Sequence, residues 1–269
     1  MKHDELGPII SIANQKGGVG KTTTSINLAA SLSAMDYRVL LVDLDPQGNS
    51  TTGLGIDKKA IRGSTYELLM GQISLEEIVV PSGFEGLLVA PADVALTAAE
   101  IELIKVAKRE WRLHEAFSGY QGEPFDYVII DCPPALNLLT INALTAADRV
   151  LITLQTEFLA LEGVSQILET LRRIKKKLNR DLAVDGILLT MIDRRNKIAL
   201  QVEREVRDYF GAQVYQTVIP RNVRLAEAPS FGVPVLQHDV RSTGAQAYLQ
   251  TAAELVRREA LMQQVDEEI

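Results

Sequence analysis

Residues 12–24, I-A-N-Q-K-G-G-V-G-K-T-T-T, place a glycine-rich turn between an apolar run and a helical pattern, and few folds accommodate that combination. Gly17, Gly18 and Gly20 can take backbone angles closed to other residues, and lacking side chains they let successive amides converge on one anion. A helix opening at the end of the turn aims the positive end of its dipole at the same point. The run Lys16, Gly17, Gly18, Val19, Gly20, Lys21, Thr22, Thr23 is therefore read as a cradle for the phosphates of ATP. Lys21 is placed to reach the β and γ phosphates, and Thr22 to offer its hydroxyl to Mg²⁺.

The flanking pattern builds a sheet around this turn. The I-I-S-I-A within residues 8–14 fits a buried parallel strand feeding the loop. Residues 20–35 follow as a helix in which Ile26, Leu28, Ala29, Leu32 and Met35 recur near the 3.6 period, with Ser25, Asn27 and Ser33 expected on other faces. A second strand, residues 38–43, delivers L-D-P-Q-G-N, and alternation sets Asp43 and Asp45 on one side before Pro46 and Gly48 turn the chain. Residues 125–134, F-D-Y-V-I-I-D-C-P-P, read as a third strand ending in Asp131, an acid expected to hold Mg²⁺ through water. Ligands of open α/β sheets bind outside the carboxyl ends of the strands, where all three motifs fall.

The alternation continues with strands at 149–155, 184–191 and 214–219 and helices at 161–178, 198–210 and from about 244. The expected fold is α/β: one doubly wound, mostly parallel sheet with helices on both faces, of the P-loop NTPase type, spanning 1–269 with flexible tails at 1–7 and about 263–269. Residues 53–123 say least. They suggest short helices at T-Y-E-L-L-M-G and S-L-E-E-I-V, a strand at L-L-V-A-P, and a long helix over 92–117 in which Trp111 simply covers the sheet.

Composition narrows the classes. A lone cysteine, Cys132, excludes a disulfide framework and cysteine-rich metal sites and fits a reducing cytoplasm. The start, M-K-H-D-E-L-G-P, has no apolar signal core, and no run approaches the roughly 18 apolar residues of a membrane span, so a soluble, cytoplasmic protein is expected. The net charge of −7 does not advertise a nucleic-acid binder, so any DNA site must be a local patch.

The generic phosphate-loop pattern wants glycine where this chain has Gln15, and the chain adds Lys16. With K-G-G-x-G-K-T, D-x-D-P-Q, Q-T-E-F-L-A-L-E-G and V-I-P-R-N-V-R-L-A-E-A-P-S-F-G in this order, it resembles the deviant Walker A ATPases and, within them, the ParA/Soj chromosome- and plasmid-partitioning proteins over nearly its whole length. The resemblance implies that Lys16 reaches across a homodimer interface to the partner's nucleotide. It also implies that Asp45 positions the hydrolytic water and that Asp43 supports the Mg²⁺ shell and the signature lysine. Pro220 and Asn222 match positions lining the adenine pocket, although by composition they read as a turn.

Two basic groups could meet DNA. The run 172–180, R-R-I-K-K-K-L-N-R, is read as a solvated helix end. For Arg194, Arg195, Lys197, Arg221, Arg224 and Arg241, the resemblance implies a surface for double-stranded DNA, and without an aromatic platform or recognition helix it should be indifferent to sequence. It further implies a nucleoid-associated switch with low intrinsic turnover, stimulated by a ParB-type centromere-binding protein. With no helix-turn-helix pattern before the loop, the operator-reading branch of the family is not expected. The nearest rival is a MinD-like ATPase that positions another cargo or acts at the membrane, but the tail A-E-L-V-R-R-E-A-L-M-Q-Q-V-D-E-E-I ends in acids, and its apolar positions are assigned to core packing. A metabolic P-loop kinase would need an acceptor pocket and base that the sequence does not display. A non-catalytic adaptor would have lost Lys21, Asp45 or Asp131, and all three are present.

Overall fold

The computed structural model describes residues 5–157 and 160–267 of the chain. Its strands are β1 (Ile9–Ala13), β2 (Val39–Asp43), β3 (Val80–Pro81), β4 (Leu87–Ala90), β5 (Tyr127–Asp131), β6 (Arg149–Gln155), β7 (Ala183–Ile192) and β8 (Val214–Pro220). The helices are α1 (Lys21–Ser33), α2 (Asn49–Gly53), α3 (Thr65–Met70), α4 (Leu75–Ile78), α5 (Leu96–Glu102), α6 (Arg112–Ser118), α7 (Leu138–Ala146), α8 (Ala160–Lys177), α9 (Lys197–Phe210), α10 (Val223–Glu227), α11 (Val235–Asp239) and α12 (Thr243–Glu267). The strands form one sheet in the order β3-β4-β2-β5-β1-β6-β7-β8, parallel throughout except for the β3–β4 pair. From β1 the chain builds to one side through β5 and to the other from β6 onward. The loop after β1 therefore lies where the strand order reverses and a crevice opens.

Strand residues alternate between two cores. Ile9, Ala13, Leu40, Val42, Val128 and Ile130 face the layer of α3 to α9, whereas Ile10, Ile12, Val39, Leu41 and Ile129 face α1 and α12. Because both faces are covered, the strands read as continuous apolar runs rather than as an alternation, and each fully buried Ile or Leu stabilises by about 1.5–3 kcal/mol.

The structure departs from the sequence expectations at four places. First, α1 has no polar outer face: Ser25, Asn27 and Ser33 are buried, Ser25 donating to Asp131 of β5 at 3.0 Å and Asn27 accepting the Val235 amide of α11 at 2.8 Å, while α12 packs beside the helix. Second, the long helix expected over 92–117 is broken. Val106 is extended, Lys108 takes a left-handed φ of 52°, and α5 and α6 are linked by two 3₁₀ turns, Leu103–Lys105 and Arg109–Trp111. Buried Asn142 of α7 satisfies backbone groups at the break, donating to the Arg109 carbonyl at 2.8 Å and accepting the Leu113 amide at 3.2 Å. Third, α7 itself carries no amphipathic signal, since it is apolar nearly all round and buried. Fourth, the amino-terminal tail expected at 1–7 is docked at its inner end: Leu6 is buried beside Phe125, and the Gly7 amide donates to the Phe125 carbonyl at 2.7 Å. Residues 1–4 and 268–269 of the expected tails lie outside the described residues. No described helix is long and apolar enough to cross a membrane.

At the amino ends of the strands a buried charge network fastens α12. Arg149 bridges Asp185 and Glu259 at 3.3 Å each, Tyr127 donates to Glu259 at 2.8 Å, and Tyr215 donates to Asp185. The outer strand β8 is covered by side chains. Glu254 accepts the Gln216 and Thr217 amides at 2.8 and 2.9 Å, and Arg207 donates to the Tyr215 carbonyl at 3.0 Å. Ala245, Tyr248, Ala252 and Leu255 of α12 enter the core; of the tail positions that the sequence assigned to core packing, Leu255 is buried and Val256 partly so, but Leu261 and Met262 are exposed. Arg149→Met would strand two buried carboxylates. It is expected to cost about 3–5 kcal/mol in urea unfolding, whereas Arg173→Met, which breaks only an exposed pair with Glu169, should cost less than about 1 kcal/mol.

Candidate functional site

The loop between β1 and α1 is held open by its neighbours. Asn14, buried at the end of β1, donates to the Thr153 carbonyl of β6 at 2.6 Å and accepts the Lys16 amide at 3.0 Å. Thr190 of β7 donates to the Val19 carbonyl at 2.9 Å, and Val19 is itself buried. Gly18 and Gly20 take left-handed φ values of 74° and 82°, which a side-chain-bearing residue adopts only with strain. Helix α1 then starts at Lys21 with no side chain capping its first amides, so those donors remain available to a ligand.

Beside the loop the register of the parallel strands aligns two acids. Asp131 of β5 pairs with Ile12 of β1 on one side and with Asp43 of β2 on the other, which places both carboxylates at one edge, fully buried. Burial pushes Asp43 up to about 7, with the Asp131 charge adding to it, and burial pushes Asp131 up to about 6. Hydroxyls and amides oppose the rise. Ser25 and Ser50 donate to the two Asp131 oxygens at 3.0 and 2.7 Å, and Thr22 also favours that carboxylate. Asp43 accepts the Asp45 amide at 3.1 Å and, on its other oxygen, the Thr51 amide and hydroxyl at 2.9 and 2.8 Å. Both acids thus have their lone pairs engaged by protein groups. A cation between Thr22 and Asp131 would meet the carboxylate through water, which suits Mg²⁺. Among the described residues no group of three or more His, Cys, Asp or Glu could hold a metal, so phosphate and water would supply most ligands.

Asp45 is the less encumbered acid. One oxygen accepts the Gln47 amide at 2.9 Å, and the other takes no hydrogen bond from the described residues. Lys21 is buried within electrostatic reach of Asp131 and Asp45, and its ammonium donates to the Lys16 carbonyl at 3.0 Å. Burial lowers the Lys21 pKa, and the two acids oppose that shift. Lys16 points away from this centre and pairs with Glu157 at 2.7 Å.

Of the remaining sequence candidates, Pro220 ends β8, and Asn222 caps α10 through the Arg224 amide while donating to the Thr243 hydroxyl at 2.8 Å. Gly17, Arg194, Lys197, Arg221 and Arg241 are exposed. Arg195 is clamped on Asp193 through two hydrogen bonds at 2.9 and 2.8 Å, and Arg224 pairs with Glu227 at 2.8 Å and Asp239 at 3.3 Å. The stretch Q-T-E-F-L-A-L-E-G contains Phe158 and Leu159, which lie outside the described residues. Sequence reasoning did not single out Ser25, Ser50, Thr51, Asn14 or Glu157. Ser25 carries the one available signal: it stands four residues after Lys21, one turn along the same helix face.

The AAA domain family model matches residues 7–184. The chain is 52% identical over 252 residues to the chromosome partitioning protein ParA of Caulobacter vibrioides, covering 93% of this chain and 94% of that protein. It is 53% identical over 250 residues to the sporulation initiation inhibitor protein Soj of Bacillus subtilis, covering 93% and 98%. Among solved structures it resembles cobyrinic acid a,c-diamide synthase from Mycobacterium smegmatis with bound ADP and magnesium, with a TM-score of 0.83 and 38% identity over 94% of this chain and 96% of that one.

Because folding raises the Asp131 pKa, ionising that carboxyl costs the nucleotide-free fold stability as pH climbs from about 4 through about 6. Asp131→Asn should match the parent at pH 4 and exceed it by about 1–3 kcal/mol at pH 8 in urea titrations.

Proposed function

The chain belongs to the ParA/Soj family of chromosome-partitioning ATPases, and from that premise we propose that it is a switch: two copies close face to face on ATP, hold DNA without regard to sequence, and let go on hydrolysis. The observation that carries this reading is the division of labour between the two lysines of one loop. Lys21 is buried with Asp131 and Asp45 beside the cradle, and Lys16 is turned outward where a second chain can be met.

The amides of Gly17, Gly18, Val19, Gly20 and Lys21 orient the phosphates, and Thr22 and Thr23 extend the cradle along the first turn of α1. Lys21 exchanges the Lys16 carbonyl for phosphate oxygen and offsets charge on the transferred phosphoryl group. Asp45 directs its unoccupied oxygen at the attacking water, while Asp43 fixes the Asp45 amide and the start of α2. Thr22, through its hydroxyl, and Asp131, through water, would hold Mg²⁺, which would supply further positive charge at the phosphates. Lys16 does the same for the partner's nucleotide. Pro220 and Asn222 border the adenine, and the ADP and magnesium bound by the Mycobacterium protein support a nucleotide and metal in this fold.

Arg194, Lys197, Arg221 and Arg241 have no carboxylate partner among the described residues and form the readiest phosphate contacts. Arg195 and Arg224 would first leave their acids. A short basic segment of a ParB-type protein is the expected stimulator, and turnover without it is slow, because a switch must persist until its partner arrives. The cargo would be chromosomal or plasmid DNA, in the nucleoid.

Asp45→Ala should trap the closed pair. With ATP it is expected to bind unrelated duplexes equally, with an affinity that falls steeply with salt, and to bind little with ADP, as read by fluorescence anisotropy. Equal binding with both nucleotides would exclude the ATP switch, and no binding alongside a normal ATP dimer would exclude DNA gripping. In the same assay Arg194→Ala and Arg221→Ala, each present twice in the closed pair, should each flatten the salt slope by about two, and Arg195→Ala by less.

A further inference from the structure

Lys16 is fastened at three points. Its amide donates to Asn14, its carbonyl accepts the Lys21 ammonium, and its own ammonium meets Glu157 at 2.7 Å. Two of these fastenings lead to one strand. Asn14 is anchored on the Thr153 carbonyl of β6, and Glu157 lies just beyond the end of β6, where its amide donates to the Gln155 carbonyl at 2.9 Å. The loop and the end of β6 are thus clasped by an ion pair whose side chains keep 61% and 47% of their surface exposed. A pair this exposed is open to solvent and salt, and it is held by one charge-assisted hydrogen bond.

We propose that Glu157 is a positioning residue for Lys16: it holds this lysine on its own chain, so that closing two chains around nucleotide requires the Lys16–Glu157 pair to break. The inference rests on the reading of Lys16 as the lysine that crosses to a second copy. The geometry gives the clasp two release points. Phosphate drawing the Lys21 ammonium away from the Lys16 carbonyl loosens the loop from inside, and a facing nucleotide competes with Glu157 for the Lys16 ammonium from outside. While the clasp is shut, the carboxylate offsets the repulsion between two cations five residues apart in one loop.

An exposed pair of this kind shifts an equilibrium by only about two- to fivefold. Two pairs break for each dimer formed, so the effects multiply to roughly four- to 25-fold in the dimer dissociation constant. That is a threshold on protein concentration, not a block.

The test uses the full chain and Glu157→Gln, with two readouts. In sedimentation with a non-hydrolysable ATP analogue at low salt, the variant should dimerise at a several-fold lower concentration. The gap should shrink at about 1 M salt, where exposed pairs are screened. Without nucleotide, acylation of the Lys16 amine, mapped by mass spectrometry, should be faster in the variant while acylation of exposed Lys176 is unchanged. Equal or weaker dimerisation of the variant, or unchanged Lys16 acylation, would overturn the clasp. Absence of an ATP dimer in both proteins would overturn the switch itself and the clasp with it, and is distinguishable because Lys16 acylation reports on the pair independently.

Discussion

Two carboxylates buried side by side at the ends of adjacent parallel strands set the terms for everything around them. A bare pair of ionised acids in that position would be costly, and the chain meets the cost with hydroxyls from Ser25, Ser50 and Thr51 and with two backbone amides. Those donors come from α1, α2 and the loop between β2 and α2, so satisfying the charge fixes the elements that frame the phosphate loop. The electrostatic requirement and the shape of the crevice are met by the same atoms. A divalent cation near this edge would relieve the residual repulsion between the two acids.

Much of this was legible from sequence because its parts are local. Glycines at positive φ, a lysine and threonine opening a helix, and apolar runs that end in Asp43 and Asp131 each express their role within a few residues. The doubly wound, mostly parallel sheet also follows, since strands alternating with helices allow few topologies. What stayed hidden depends on pairing at a distance. Ser25 looks like an outward-facing helix residue until Asp131, 106 positions away, is brought against it. Glu157 looks like a loop acid until the register of β1 and β6 sets it beside Lys16. The break between α5 and α6 is illegible for the same reason, because the group that stabilises it, Asn142, belongs to a helix later in the chain.

The sheet separates chemistry from scaffolding by its two ends. At the carboxyl ends, one Asp45 oxygen takes no hydrogen bond from the described residues, and the arginines after β7 and β8 are exposed. At the amino ends the charges are largely buried and paired with one another, with Arg149, Asp185, Glu259, Tyr127 and Tyr215 in one cluster. The long α12 belongs to both ends, since it packs on α1 near the loop and is locked through Glu259 at the base.

The rims of the sheet carry a consequence for behaviour in a crowded solution. An open strand edge invites any other extended chain to hydrogen-bond to it, and such pairing would be neither reversible on cue nor selective. One rim here ends in β3, only two residues long, antiparallel to its neighbour and closed by Pro81, which has no amide hydrogen to donate. At the other rim, Glu254 and Arg207 already take the main-chain groups of β8 that a newcomer would need. With one rim cut short and the other partly occupied by side chains, a second extended chain finds few free main-chain groups to pair with.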